Sequence, residues 1–428
     1  GGSWWAYYTL GWGGWWYWDP TENASFMPWL TGTALLHSMI VVEKRDAVKA
    51  WTILLAIITF SLSLLGMFLV RSGVLTSVHS FASDPARGVF ILGLLVVVTG
   101  GALVLFAVRA PMLKDGGVFA PISREGSLLI NNILLSVAAA TVFLGTLYPL
   151  FADVLSLGKV SVGPPFFNTM FVPLIAMLVV VSAIGPLLSW KRGDLVSALR
   201  RLKWAAVAVV LTFLCVLLVK MKASNILWGG GGMALATWLF MSMLVEWAER
   251  VRLFKVPIHE SLKRALELPR SSYGMTIAHM GLALLIVGIT SSSLWRLEKI
   301  QVMHVGETID VAGYFLTLKG IENGLKGPNY IFSRATFVTK IGNHFIANLQ
   351  PEKRMYTVPP RPTTNAAIRS TFLGDLYVVL ADADNRGGYI TRIYYDPLVI
   401  WIFIGGAIMA VGGIVSMTDR RSRKSGRY

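Results

Sequence analysis

Runs of about 20 apolar residues, the length an α-helix needs to cross roughly 30 Å of hydrocarbon, recur along most of this chain. Nine are recognisable: Phe26 to Val42, Lys49 to Val70, Val89 to Val108, Leu128 to Leu150, Phe166 to Ser189, Trp204 to Val219, Ile226 to Trp247, Met275 to Trp295 and Pro397 to Met417. Only 14% of the residues are charged, against roughly 25% in a soluble protein. A water-soluble enzyme is thereby excluded, and the expected fold class is a polytopic α-helical membrane protein of about nine transmembrane helices. Between the last two runs the composition changes. Alternating segments such as Tyr314 to Lys319 and Ala335 to Thr339, set among polar turns, predict an exterior β-rich domain. The expected organisation is an exterior aromatic loop over 1–25, eight spans over 26–293, the β-rich domain over 294–395, and the last span with a basic tail over 396–428.

The net charge of +16 would suggest a nucleic-acid binder on a soluble chain. Here its distribution decides. Alternate short connections carry 22 Lys and Arg, and the connections between them carry 5. Basic residues are retained in the cytoplasm, so this asymmetry predicts a cytoplasmic C-terminus and puts the aromatic loop and the β-rich domain outside. Nucleic acid drops out as a partner, and the lipid bilayer takes its place. The single cysteine, Cys215, excludes an internal disulfide framework and any multi-thiolate metal site within the chain. Six histidines remain as titratable candidates.

Seven of the 15 tryptophans lie within the first 29 residues: Trp4, Trp5, Trp12, Trp15, Trp16, Trp18 and Trp29. Scattered aromatics of this kind ordinarily form an interfacial belt, but a belt does not require their order. Trp12-Gly13-Gly14-Trp15-Trp16-Tyr17-Trp18-Asp19-Pro20 is followed by Glu22 and Asn23. Two glycines let the backbone approach something flat while indoles supply apolar faces, which suits a planar aromatic ligand. Asp19, Pro20 and Glu22 also read as the N-cap, N1 and N3 positions of the first long helix.

At these residues the chain resembles the tryptophan-rich WWD heme-handling family, whose signature is Trp-Gly-Gly-x-x-x-Trp-Asp-Pro-x-Glu-Asn. Within it the chain is similar to the CcmF-type cytochrome c heme lyases. Three further stretches carry that likeness: Val78-His79-Ser80-Phe81-Ala82-Ser83-Asp84-Pro85, Gly327-Pro328-Asn329-Tyr330 and Leu349-Gln350-Pro351-Glu352-Lys353-Arg354-Met355-Tyr356. Family members carry more spans and another exterior histidine ahead of the loop, so the resemblance implies the later part of a longer protein.

His37 lies about 16 Å below the exterior end of its span and His279 about 8 Å from the opposite end of another, at 1.5 Å per residue. A lone polar residue in a span is often an interhelical hydrogen bonder. Two neutral imidazoles at similar depth also meet the requirement for axial ligation of a heme iron. The resemblance assigns His37 and His279 that second role, as ligands of a resident heme b, and assigns His79 to the iron of an incoming heme. It implies that Trp12, Gly13, Gly14, Trp15, Trp16, Trp18 and Asp19 face that heme. Asn131 and Asn132, with Gly281, Gly288, Gly405 and Gly406, read as helix-packing positions. Gly327 to Tyr330 and Pro351 to Arg354 read as turns.

The implied function is cytochrome c maturation in a bacterial inner membrane. A heme lyase would take heme from a periplasmic heme carrier protein and attach it to the Cys-x-x-Cys-His segment of an apocytochrome c, beside thiol-handling maturation subunits. A heme transporter and a heme-binding assembly scaffold are the rival readings. The scarcity of intramembrane ionisable groups counts against the transporter.

Overall fold

A computed structural model describes residues 1–75, 77, 84–113, 118–218, 223–358, 360–384 and 387–419. Its helices are α1 (Gly2–Thr9), α2 (Pro20–Arg45), α3 (Lys49–Ser72), α4 (Pro85–Arg109), α5 (Arg124–Val154), α6 (Pro164–Ile184), α7 (Leu195–Arg201), α8 (Lys203–Leu217), α9 (Ala223–Arg250), α10 (Ile258–Glu267), α11 (Arg270–Leu294) and α12 (Ile400–Met417). Eight of these, α2 to α6, α9, α11 and α12, are long and apolar enough to cross a membrane. The expected span at Trp204 to Val219 is present as α8, an apolar helix of 15 residues, shorter than the other eight. The count of long spans among the described residues is therefore eight.

The chain divides into two compact units, residues 1–15 with 205–428 and residues 16–204. In the second unit α2 packs on α3 and α5, α5 on α6, and α3 on α4. Leu30, Ala34 and Leu55 meet Leu135, Ala138, Ala139 and Leu178 in its core. The helix starts follow from local chemistry. Asp19 accepts from the Thr21 amide at 3.0 Å, and Glu22 reaches back to the Asp19 amide at 3.2 Å. With Pro20 at the first helical position this completes the expected capping box. Ser123 caps α5 by accepting from the Gly126 amide at 3.0 Å.

In the first unit, α11 pairs with α12 and with α9. Between α11 and α12 lie ten strands: β1 (Leu297–Met303), β2 (Thr308–Val311), β3 (Tyr314–Lys326), β4 (Tyr330–Ile341), β5 (His344–Leu349), β6 (Glu352–Thr357), β7 (Pro360–Asn365), β8 (Ala367–Ser370), β9 (Gly374–Ala383) and β10 (Tyr389–Pro397). They form one sheet ordered β1-β10-β9-β8 and another ordered β2-β3-β4-β6-β7, with β5 also paired to β4. Leu376, Val378 and Leu380 of β9 meet Leu316, Leu318 and Phe337 in the core between the sheets. Alternation along a strand sends the intervening residues to the other face. There Tyr377 and Val379 meet Tyr7, Val399 and Ile402.

Two local expectations are corrected. The aromatic segment over 1–25 is not wholly loop, because α1 occupies Gly2–Thr9. Glu352 to Arg354 are strand, not turn: the buried Glu352 carboxylate receives Arg334 at 2.6 and 2.9 Å and Arg354 at 2.7 and 2.8 Å. Burial opposes ionisation of Glu352, but the two guanidiniums hold its pKa below the ordinary value. Gly327 to Tyr330 is a turn as expected, closed by the Gly327 amide donating to the Tyr330 carbonyl at 2.8 Å.

Candidate heme-handling site

The aromatic segment runs through both units, and each part is held by its own unit. In the first, α1 buries Ala6 and Tyr7 and docks through hydroxyls. Tyr7 donates to Asp396 at 3.2 Å, and Tyr8 donates to Asp375 at 3.2 Å. The Tyr377 hydroxyl donates to the Tyr7 carbonyl and accepts from the Gly13 amide, both at 3.2 Å. Gly13 sits at φ +76°, where a Cβ would lie 2.8 Å from the Tyr394 ring. The flat group that this glycine approaches is thus a tyrosine of the β-sandwich. Trp15 donates its indole N–H to Ser292 of α11 at 3.1 Å. Trp12 and Gly14 are half-buried.

Beneath this segment the charges are unusual. Asp396 is 3% exposed and pairs with Arg296 at 3.2 Å, whose guanidinium lies 4.0 Å from the centre of the Tyr394 ring. Burial lifts the Asp396 pKa to about 6. Burial raises Asp375, Tyr7 and Tyr377 in the same way. Sequence reading missed this bed, because its acids lie more than 360 residues from the tyrosines that they receive.

In the second unit Trp18 stacks on Phe167 with ring centres 4.9 Å apart and planes 11° from parallel. Its indole N–H donates to Asn168 at 2.9 Å. Trp16 meets Trp18 and Phe26 edge-on at 5.7 and 5.3 Å. The polar residues of the motif are engaged by the fold. Asp19 caps α2 and accepts from Ser77 at 2.5 Å, while Asn23 donates to the Trp18 carbonyl at 3.1 Å and to Thr146 at 3.0 Å. Trp18 has φ +56°, a conformation that costs an aromatic residue about 1–3 kcal/mol. The Asn23 and Asn168 hydrogen bonds hold it there. Asp19 therefore has a structural role that is visible directly, whereas the half-buried indoles are the parts of the motif left to present apolar surface.

Each membrane histidine has Nδ1 in a hydrogen bond within its own unit. His37 on α2 lies 3.0 Å from the side-chain amide of Asn131 on α5, and Ser182 of α6 lies 3.4 Å from the other end of that amide. His279 on α11 meets the Met275 carbonyl at 2.8 Å through Nδ1. A carbonyl can only accept, so Nδ1 carries the proton and Nε2 the lone pair. A half-buried imidazole whose lone pair is on Nε2, as in His279, is the kind of donor an iron porphyrin takes. His79 lies outside the described residues. His304 stands 3.4 Å from Glu307 after β1, His344 opens β5, and His259 is exposed on α10.

Residues 294–397 match the family model described as the CcmF C-terminal beta-sandwich, and residues 1–75 match the cytochrome C assembly protein model. The chain is 49% identical to the cytochrome c-type biogenesis protein CycK of Rhizobium meliloti, over 99% of this chain and 62% of that protein. It is 48% identical to CcmF of Pseudomonas aeruginosa and 44% identical to CcmF of Escherichia coli, in each case over 99% of this chain and 63% of the relative. A solved structure of the cytochrome c heme lyase CcmF superposes with a TM-score of 0.76 at 27% identity, covering 97% of this chain and 63% of that one. The chain thus spans just under two thirds of the length of these relatives. Its eight long apolar helices fit a multi-pass inner-membrane protein. From the aromatic motif to the closing β-sandwich and last helix, the chain is similar to the CcmF family of cytochrome c-type biogenesis proteins, and residues 294–397 match that family's C-terminal beta-sandwich.

Proposed function

We propose that this chain is the heme-receiving part of a cytochrome c heme lyase in the bacterial inner membrane, with the aromatic segment and the β-sandwich on the periplasmic side. His37 and His279 are its ligands to a resident heme b. His79, with Trp12, Gly13, Gly14, Trp15, Trp16 and Trp18, receives the incoming heme brought by a periplasmic heme carrier. Thiol-handling maturation subunits supply the reduced apocytochrome c.

The observation that carries this reading is the chemistry at His279. Its Nδ1–H donates to a backbone carbonyl of its own helix, which puts the lone pair on Nε2, the nitrogen that would bind iron. A bound resident heme supplies a one-electron Fe(III)/Fe(II) couple. The chain's own residues bind and orient, since apolar indole faces exclude water from a porphyrin and hold it in one attitude. The nucleophile comes from the substrate. Each apocytochrome thiol adds across a vinyl group of the incoming heme, forming one C–S bond while the proton goes to the terminal vinyl carbon. The addition needs no leaving group.

His37→Ala and His279→Ala in the full-length protein are expected to abolish the b-type absorption spectrum of the purified protein. Normal heme content in both variants would defeat the assignment. Apocytochrome and carrier-bound heme supplied together should give thioether-linked product. Vectorial heme movement without product would favour a transporter, and neither outcome a scaffold.

A further inference from the structure

The connection from α9 to α11 is too charged to lie in hydrocarbon and too apolar to lie free in water. Arg250 ends α9 and Arg270 begins α11, and both helices are long and apolar enough to span a membrane. Between them α10 has ten residues and is about 15 Å long at 1.5 Å per residue, roughly half of what a crossing needs. The connection therefore starts and finishes at one membrane surface. At about 100° per residue, α10 has three sides. On the first, Ser261 is buried; the Tyr273 hydroxyl of α11 donates to the Ala265 carbonyl at 2.7 Å and fixes α10 to its neighbour. Ile258, Leu262 and Leu266 share a second arc of about 80°, and all three are exposed, Leu266 at 88%. His259, Lys263 and Glu267 make a third side, exposed and polar.

The turn ahead of α10 adds apolar surface. Phe254 has φ +62°, a left-handed conformation uncommon for an aromatic residue, and is 95% exposed. Backbone bonds hold the turn, from the Leu253 amide to the Ala248 carbonyl at 2.9 Å and from the Lys255 amide to the Arg252 carbonyl at 3.0 Å. Arg252, Lys255, Lys263 and Arg270 are exposed along the same connection, against one exposed carboxylate, Glu267. Glu260 is taken by Arg264 at 3.0 Å. An apolar stripe bordered by a surplus of exposed cations matches a helix lying in the headgroup layer of an anionic membrane. We propose that α10 is an interfacial helix that binds anionic phospholipid: Phe254, Ile258, Leu262 and Leu266 enter the acyl boundary, while Arg252, Lys255, Lys263 and Arg270 engage lipid phosphate groups. The proposal requires α9 and α11 to span the membrane and is independent of the heme assignment. Because Tyr273 ties α10 to the first turn of α11, the lipid contact also sets the depth of that helix.

The test uses full-length protein in which the native cysteines, Cys215 among them, are replaced by Ser and single cysteines carry nitroxide labels: Leu262→Cys, Leu266→Cys, Lys263→Cys and Glu267→Cys. The protein is reconstituted in vesicles of phosphatidylcholine with phosphatidylglycerol. Collision with oxygen, which concentrates in lipid, is compared with collision with a water-soluble nickel chelate. Labels at positions 262 and 266 are expected to favour oxygen, and those at 263 and 267 the chelate. A second measurement reads headgroup recognition: native mass spectrometry gives the ratio of phosphatidylglycerol to phosphatidylcholine retained by the detergent-purified protein. Arg252→Gln, Lys255→Gln and Lys263→Gln combined are expected to lower that ratio at least about fivefold. Arg192→Gln, Arg200→Gln and Lys203→Gln combined remove the same charge from another connection with exposed basic residues and are expected to leave it unchanged. If the first triple variant does not fold, Lys263→Gln alone, at an exposed position, decides the matter.

Labels at 262 and 266 that favour the nickel chelate as strongly as those at 263 and 267 overturn the proposal, since the stripe then faces water. Labels at 262 and 266 shielded from both reagents also overturn it, because a protein surface, from a second copy or another partner, then covers the stripe. An equal fall in the lipid ratio for both triple variants assigns retention to net charge alone and overturns the α10 site. A ratio unchanged in the first triple variant overturns headgroup recognition.

Discussion

Asp396 holds a carboxylate among aromatic rings, with Arg296, Tyr7, Tyr377 and Tyr394 around it and Asp375 and Glu298 near enough to act on its charge. Its pKa of about 6 lies above the value near 3.9 that an unfolded chain gives. Between these values the folded state binds more protons than the unfolded one, so this group's contribution is full below about pH 4 and is lost as pH rises through about 6. Over that window it amounts to up to about 3 kcal/mol. The apparent Tm of the wild type, measured in detergent, should therefore fall relative to that of Asp396→Asn between pH 4 and pH 6; parallel profiles would contradict this. Reach along the chain explains which residues could be read in advance. Asp19, Glu22 and Asn23 act on backbone groups no more than five residues away, so their spacing alone announces their roles. Tyr7 and Asp396 are 389 residues apart, and no local pattern joins them. Asn131 was legible as a helix-packing residue but not as the partner of His37, because that depends on which helices meet.

Helix α11 carries glycine at 274, 281 and 288, and α12 carries it at 405 and 412, a seven-residue spacing on each. A Cβ on Gly281 would stand 2.7 Å from the Gly405 carbonyl, and one on Gly412 would stand 2.7 Å from the Gly274 carbonyl. The two backbones therefore touch, as small residues permit in membranes. Gly406 faces open space, so of the adjacent pair read as packing residues only Gly405 serves that purpose. Gly281→Leu is expected to destabilise the helix pair by about 1–3 kcal/mol, with Gly406→Ala near neutral; equal thermal shifts would show that the seam is not the cause. His279 precedes Gly281 by two residues, about 200° around the helix, so the seam turns its imidazole away from α12. Long apolar helices and alternating strands were legible because their periods repeat many times. Short elements were not. α1 is apolar on all sides and depends on tyrosine hydroxyls reaching distant acids. β6 resembled a turn because its charges neutralise one another only after β4 pairs with it.

Across the whole chain, the excess of 22 over 5 basic residues in alternate connections predicts one orientation. Alkaline phosphatase fused after Gly324 should be active, and the same enzyme fused after Arg192 should be inactive; the reverse pattern would invert the proposed topology. The β-sandwich is joined to its helices at both ends with little slack. Two residues separate α11 from β1, and two separate β10 from α12. β1 pairs with β10 just as α11 pairs with α12. A domain on long tethers swivels freely and transmits no torque. Here, turning α11 against α12 twists β1 against β10, and the reverse also holds. On the proposed topology the sandwich is in effect a handle: a partner that gripped it would apply leverage to the helix that carries His279.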